Sequence, residues 1–250
     1  MSSPETCGPT VVLVHGAFAD AGSWAGVVER LVQAGVPVRA IVNPLRGVTA
    51  DAAYVASAIK QIPGPVLVVG HSYGGVVITN AASQVTNAVG LVYVAGFLPD
   101  EGETLGDILG RSTDSLLLVS VVPSEYPTGN GTETATEFVI DPAKARVVFA
   151  GDLTQLQSDV IAYSQRPVAG AALAEKTGVP AWKNLPAWSV VATGDKAAGT
   201  DVVRSTAQRA GATITELDGS HVIMISQPEA VTEVILAAVK AVSPSIAVSV

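Results

Sequence analysis

The sharpest chemical signal in the chain is Gly70-His71-Ser72-Tyr73-Gly74. A serine hydroxyl is a weak nucleophile at neutral pH. It becomes a strong one when a base lies within hydrogen-bond reach and the backbone pushes it clear of the fold. The pentapeptide alone is a common pattern, but its setting is informative. It follows the apolar run 66–69 and precedes a helix-compatible run that starts at Val76. A serine on such a strand-to-helix turn sits in strained geometry and needs small neighbours, and Gly70, Gly74 and Gly75 supply the room.

The chain has three histidines, so the base is found by elimination. His71 adjoins the serine, and at a tight turn its ring points away from the Ser72 hydroxyl. His15, in Val14-His15-Gly16, is better suited to ordering a loop. His221 remains, in Asp218-Gly219-Ser220-His221. A third group must orient the imidazole and stabilise its charged form, and on a strand–turn–helix scaffold the chain order is Ser, acid, His. Asp195, in Thr193-Gly194-Asp195-Lys196, is favoured because it ends an apolar run. Asp100 is the second choice, at the end of the run 88–95, and Asp201 and Asp218 are further rivals. Acyl chemistry also needs backbone donors for a developing oxyanion. The amide of Tyr73 is one candidate, and the amide of Ala17, in the loop His15-Gly16-Ala17-Phe18, is the other.

These residues need a scaffold that brings them to one edge. Strands are expected at 10–15, 36–42, 66–70, 88–95, 187–193 and 213–217, with helices at 24–34, 50–61, 74–86, 201–210 and 227–242. The alternation predicts an α/β fold: a mainly parallel sheet of about six strands with helices on both faces. Open sheets of this kind carry their sites at the C-terminal ends of the strands. Residues 97–186 break the rhythm and are too long for a plain loop. They are expected to form a cap inserted over the strand ends, with a hairpin near 136–149 and short helices at 152–163 and 169–176. The core is then 1–96 and 187–250.

Composition narrows the function classes. Hydrophobic residues make up 48% of the 250 and charged residues 14%, and mean hydropathy is +0.43. No apolar run reaches the roughly 18 residues of a spanning helix. A net charge of −8 argues against nucleic acid and anionic membranes as partners. The single cysteine, Cys7, permits no internal disulfide and reads as a tail or surface thiol. Residues 1–9 show no signal-peptide pattern, so a cytoplasmic location is expected, and 243–250 read as a terminal tail. No metal or cofactor motif is present, so no cofactor is expected. The expected partner is a small-molecule ester, and a homodimer remains open.

Residues 11–17, the 70–75 turn and the run Gly219-Ser220-His221-Val222 through Pro228 together resemble the α/β-hydrolase superfamily. The nearest branch is that of plant methylesterases, hydroxynitrile lyases and their bacterial esterase relatives. The resemblance covers roughly 10–97 and 187–242 and is weaker between them. It implies a triad at Ser72, Asp195 and His221, oxyanion amides at Ala17 and Tyr73, and hydrolysis of small, largely apolar esters. The lyases of this branch carry threonine where this chain has Gly16, and lysine where it has Val222, so the esterases match better. Phe18, Phe97, Leu98 and Trp182 are candidates for the substrate pocket. A lyase-like or other carbon–carbon cleaving enzyme on the same triad, or a non-catalytic receptor, is the alternative.

Overall fold

The computed structural model describes residues 8–243; Cys7 and residues 244–250 lie outside them. The core begins with β1 (Thr10–Val14), α1 (Ala25–Gln33), β2 (Val38–Ile41), α2 (Val48–Lys60), β3 (Val66–His71), α3 (Tyr73–Ala81) and β4 (Ala88–Val94). After a long excursion come β8 (Ala187–Ala192), α8 (Thr200–Arg209), β9 (Thr213–Leu217), α9 (Ile223–Ser226) and α10 (Pro228–Val242). The six strands form one parallel sheet in the order β2-β1-β3-β4-β8-β9.

Burial follows position in the sheet. All six residues of β3 are buried, while the edge strands β2 and β9 are half exposed. A central parallel strand is covered on both faces, which is why β3 reads as a continuous apolar run. The helices follow the same logic. α10 starts with Pro228, whose missing N–H costs nothing at a first turn, and buries Val231, Ile235 and Ala238 on one face. α3 has no polar face to offer, and all nine of its residues are buried.

The topology explains where a site can form. From β1 the chain crosses to β2 on one side, and from β3 it crosses to β4 on the other. The C-terminal ends of adjacent β1 and β3 therefore open a crevice at the point where the winding reverses. Gly74, at the start of α3, packs straight into it. A Cβ there would lie 2.5 Å from the Val14 carbonyl oxygen, so only glycine fits.

Between β4 and β8 lie α4 (Leu105–Gly110), β5 (Val121–Pro127), β6 (Thr134–Ile140), α5 (Pro142–Val148), α6 (Gln155–Tyr163), β7 (Val168–Ala169) and α7 (Ala171–Ala174). Strands β5, β6 and β7 make a separate antiparallel sheet. The hairpin expected near 136–149 is displaced: β5 and β6 form it, and 142–148 is a helix. Asp141 accepts from the Ala143 N–H as N-cap and Pro142 follows it, a helix start that overrode the β-branched residues beyond. The helix expected over 169–176 shortens to α7, because Val168 and Ala169 pair with Phe138 and Glu137. Among the described residues no helix is long and apolar enough to cross a membrane.

Candidate active site

Ser72 sits between β3 and α3 with φ 54° and ψ −123°, a left-handed backbone unusual for a residue with a side chain. The turn is held from several sides. The Ser72 carbonyl accepts from the Gly75 N–H at 2.8 Å, and its N–H donates to the Val94 carbonyl at 3.2 Å. A Cβ on Gly70 would lie 2.5 Å from the Gly74 carbonyl oxygen. Such strain persists where the surroundings over-determine it.

His221 follows β9, and its Nδ1 donates to Asp195 Oδ2 at 2.7 Å, with both side chains essentially inaccessible. The remaining Asp195 oxygen accepts from the N–H groups of Ala197 and Ala198, each at 2.9 Å. The carboxylate is thus fully satisfied and rigid, and it fixes the imidazole so that Nε2 is the free nitrogen. The rival carboxylates are engaged elsewhere. Asp100 pairs with Lys183 at 2.7 Å, and that contact holds its carboxyl below the usual range. Asp201 accepts from Ser112 and Thr113, and Asp218 from Thr193.

Ser72 and His221 line one cavity with Ala17 and Tyr73, although no hydrogen bond joins the serine to the imidazole directly. Catalytic hydrogen bonds are often long in unliganded sites and tighten with substrate. The backbone N–H groups of Ala17 and Tyr73 donate to no acceptor within the described fold, so both are available to an incoming oxygen. Gly16 lets the two loops meet. A Cβ there would lie 2.7 Å from the Ser72 Cβ and 2.9 Å from His71 Nδ1.

The other two histidines buttress the loops. His15 Nδ1 donates to the Gly16 carbonyl, and its Nε2 accepts from the Asn43 N–H at 2.9 Å. His71 Nε2 donates to the His221 carbonyl at 2.9 Å, with the two rings 4.7 Å apart. Burial pushes both pKa values down, His71 far down, so both rings stay neutral. The Tyr73 hydroxyl donates to buried Asp51 at 2.8 Å, a contact with no sequence signal. Burial raises the Asp51 pKa and also pushes the Tyr73 phenol up, since neither charged form is welcome there.

The cavity is narrow, about 20 Å³ in volume, room for roughly one water. Its walls are apolar, and all four phenylalanines of the chain (Phe18, Phe97, Phe138 and Phe149) line it. Two expected pocket residues lie outside it. Leu98 is buried beneath, with its carbonyl accepting from Arg209. Trp182 sits on a turn before β8, with its indole N–H donating to the Pro99 carbonyl. Phe138, Phe149, Leu117 and Leu173 were missed, because they lie in the segment where the sequence periodicity is weakest. Phenylalanine scarcity was the available signal: a chain with four has placed them all here.

The model of the alpha/beta hydrolase family matches residues 11–234. A carbendazim hydrolyzing esterase of Nocardioides sp. (strain SG-4G) is 29% identical over 114 residues, 40% of this chain and 47% of the relative. The match therefore spans just under half of that relative. Among solved structures, polyneuridine aldehyde esterase has a TM-score of 0.78 at 17% identity, covering 92% of this chain and 99% of the other. A pyrethroid hydrolase has a TM-score of 0.77 at 19% identity, covering 93% and 98%. At such identities the likeness is one of fold.

Proposed function

Because the chain belongs to the alpha/beta hydrolase family, we propose that it is a serine carboxylesterase acting on small, largely apolar esters. The observation that carries this reading is a strained Ser72 facing the same narrow cavity as an imidazole whose other nitrogen is locked by Asp195. Ser72 Oγ attacks the ester carbonyl as His221 Nε2 takes its proton, and the oxyanion rests on the Ala17 and Tyr73 N–H groups. The alcohol departs with the proton from His221. Water then attacks the acyl-enzyme by the same route and releases the acid. Residues 97–186 act as the cap, and their apolar side chains select apolar substrates. Relatives and structural neighbours described as esterases and a hydrolase support the reaction class.

A lyase-like reaction on the same residues is disfavoured by two features. Val222 supplies no charge for a departing anion, and a threonine in place of Gly16 would collide with Ser72 and His71. The test is release of p-nitrophenol from acetate, butyrate and octanoate esters by the wild type and by Ser72→Ala. Turnover that collapses in the variant is expected. Equal rates in both proteins, or none in either, would overturn the reading.

A further inference from the structure

A second depression lies on the far side of two phenylalanine rings from Ser72. Phe18 and Phe149 line both the narrow cavity and this groove, and their rings meet edge to face at 6.2 Å and 86°. The groove is about 230 Å³ against about 20 Å³ for the cavity, and it is open to solvent. It runs along the seam between the 97–186 segment and the core. Ile161 and Ser164 of the α6 end form one wall; Ser23 in the single 3₁₀ turn before α1, with Val222 and Ile225 after His221, forms the other.

The chemistry proposed above gives the groove a role. When the acyl-enzyme forms, the bond from the carbonyl carbon to the alcohol oxygen breaks and its electron pair leaves with that oxygen. The oxygen takes the proton from His221, while the acyl carbon stays on Ser72 Oγ. The alcohol therefore departs on the His221 side. There Phe149 lies 4.9 Å from the imidazole ring, and Val222 and Ile225 continue beyond it into the groove. The cavity is too narrow to hold both halves of an ester larger than the smallest, and the Phe18–Phe149 pair is all that separates it from the groove on the His221 side. Phe18 is also strained, with φ 63°, and non-glycine residues in that region cluster at ligand clamps.

We propose that this groove is the leaving-alcohol subsite, with the Phe18–Phe149 pair as the partition that the alcohol moiety displaces. The inference rests on the acyl-transfer reading of Ser72 and His221. The alcohol it fits is uncharged with an apolar ring: the walls are mixed apolar and hydroxyl, and the Asp20 carboxylate at the rim repels anions.

The test compares kcat/KM on benzyl butyrate and methyl butyrate for the wild type, Ser164→Trp and Phe18→Ala. Ser164 is exposed, so a tryptophan there fills the groove without entering the core. Ser164→Trp is expected to lower the benzyl-to-methyl ratio at least ten-fold, and Phe18→Ala to raise it several-fold. An unchanged ratio in Ser164→Trp overturns the proposal, as does a shift in acyl-length preference among methyl esters instead. Binding of benzyl alcohol to Ser72→Ala, followed by ligand-observed NMR, separates the two layers of the argument. It should weaken at least ten-fold when Ser164→Trp is added. Groove-dependent binding without ester turnover would sink the acyl-transfer reading and, with it, the leaving-alcohol role, leaving only a groove that binds alcohols. Turnover with an unaltered ratio and unaltered binding would sink the groove assignment alone.

Discussion

Both oxygens of Asp195 are engaged: one takes two backbone N–H groups and the other takes the imidazole. Asp195→Asn preserves the shape but removes the charge that holds His221 in the right tautomer. It is expected to lower kcat by about 10⁴-fold, the scale seen when such an orienting carboxylate is neutralised. His71 acts one step further out, through the His221 carbonyl rather than through substrate. His71→Phe keeps the ring packing and loses the hydrogen bond. We expect kcat to fall by roughly 10-fold or more with KM nearly constant, because the imidazole is less well held. A change confined to KM would contradict that positioning role. Gly16→Ala tests the loop proposed to hold the oxyanion. Its new methyl group must displace Ser72 or His71, and loss of a donor's alignment costs roughly 10²-fold or more in kcat.

At the scale of elements, the loop carrying His221 is latched to the segment between β4 and β8. The Ser220 N–H donates to Asp152 at 3.0 Å, the Ser220 hydroxyl also donates to Asp152, and it reaches the Phe149 carbonyl at 3.2 Å. Asp152→Ala should therefore loosen both α6 and the His221 loop, with a stability loss of roughly 1 kcal/mol in urea melts. An unaltered melt would show that the latch is unimportant. A second clasp joins the segment to α8: Glu103 accepts from Arg209 and Arg111. The Arg209 contact leads in depressing the Glu103 pKa to about 2. A depressed carboxylate contributes stability above its unfolded value of 4.5, and that stability is lost as pH falls towards 2. Glu103→Gln should thus lower the melting temperature at pH 7 while narrowing its gap to the wild type near pH 2. The inner strands β1, β3, β4 and β8 were legible because buried parallel strands write themselves as apolar runs, while the half-exposed edges β2 and β9 are shorter runs broken by polar residues. The turns carrying Ser72, Asp195 and His221 follow three of the six. The inserted segment was not legible in the same way. Its short strands are held by pairing with each other and by caps such as Asp141-Pro142, and neither leaves a periodicity long enough to place a hairpin. Leu98 and Trp182 were misplaced because an apolar side chain near a strand end packs into the core as readily as into a cavity.

Across the whole molecule, two buried, neutral histidines contribute to the response to acid. His15 and His71 have pKa values pushed below 6.5 by burial. The unfolded chain therefore binds more protons than the folded one as pH drops below about 6.5, and stability falls with pH from that point. Each histidine contributes a slope of up to roughly 1.4 kcal/mol per pH unit until its folded pKa is reached. Urea unfolding at pH 7 and pH 5 should show this loss, and His71→Phe should flatten it; an equal slope in the variant would remove His71 from the account. The central claim, that one serine per chain becomes covalently acylated, is tested most directly by intact-mass measurement after treatment with a fluorophosphonate, followed by peptide mapping. One adduct per chain, located at Ser72 and absent from Ser72→Ala, is expected. An unlabelled wild type, or an adduct on a different residue, would contradict it.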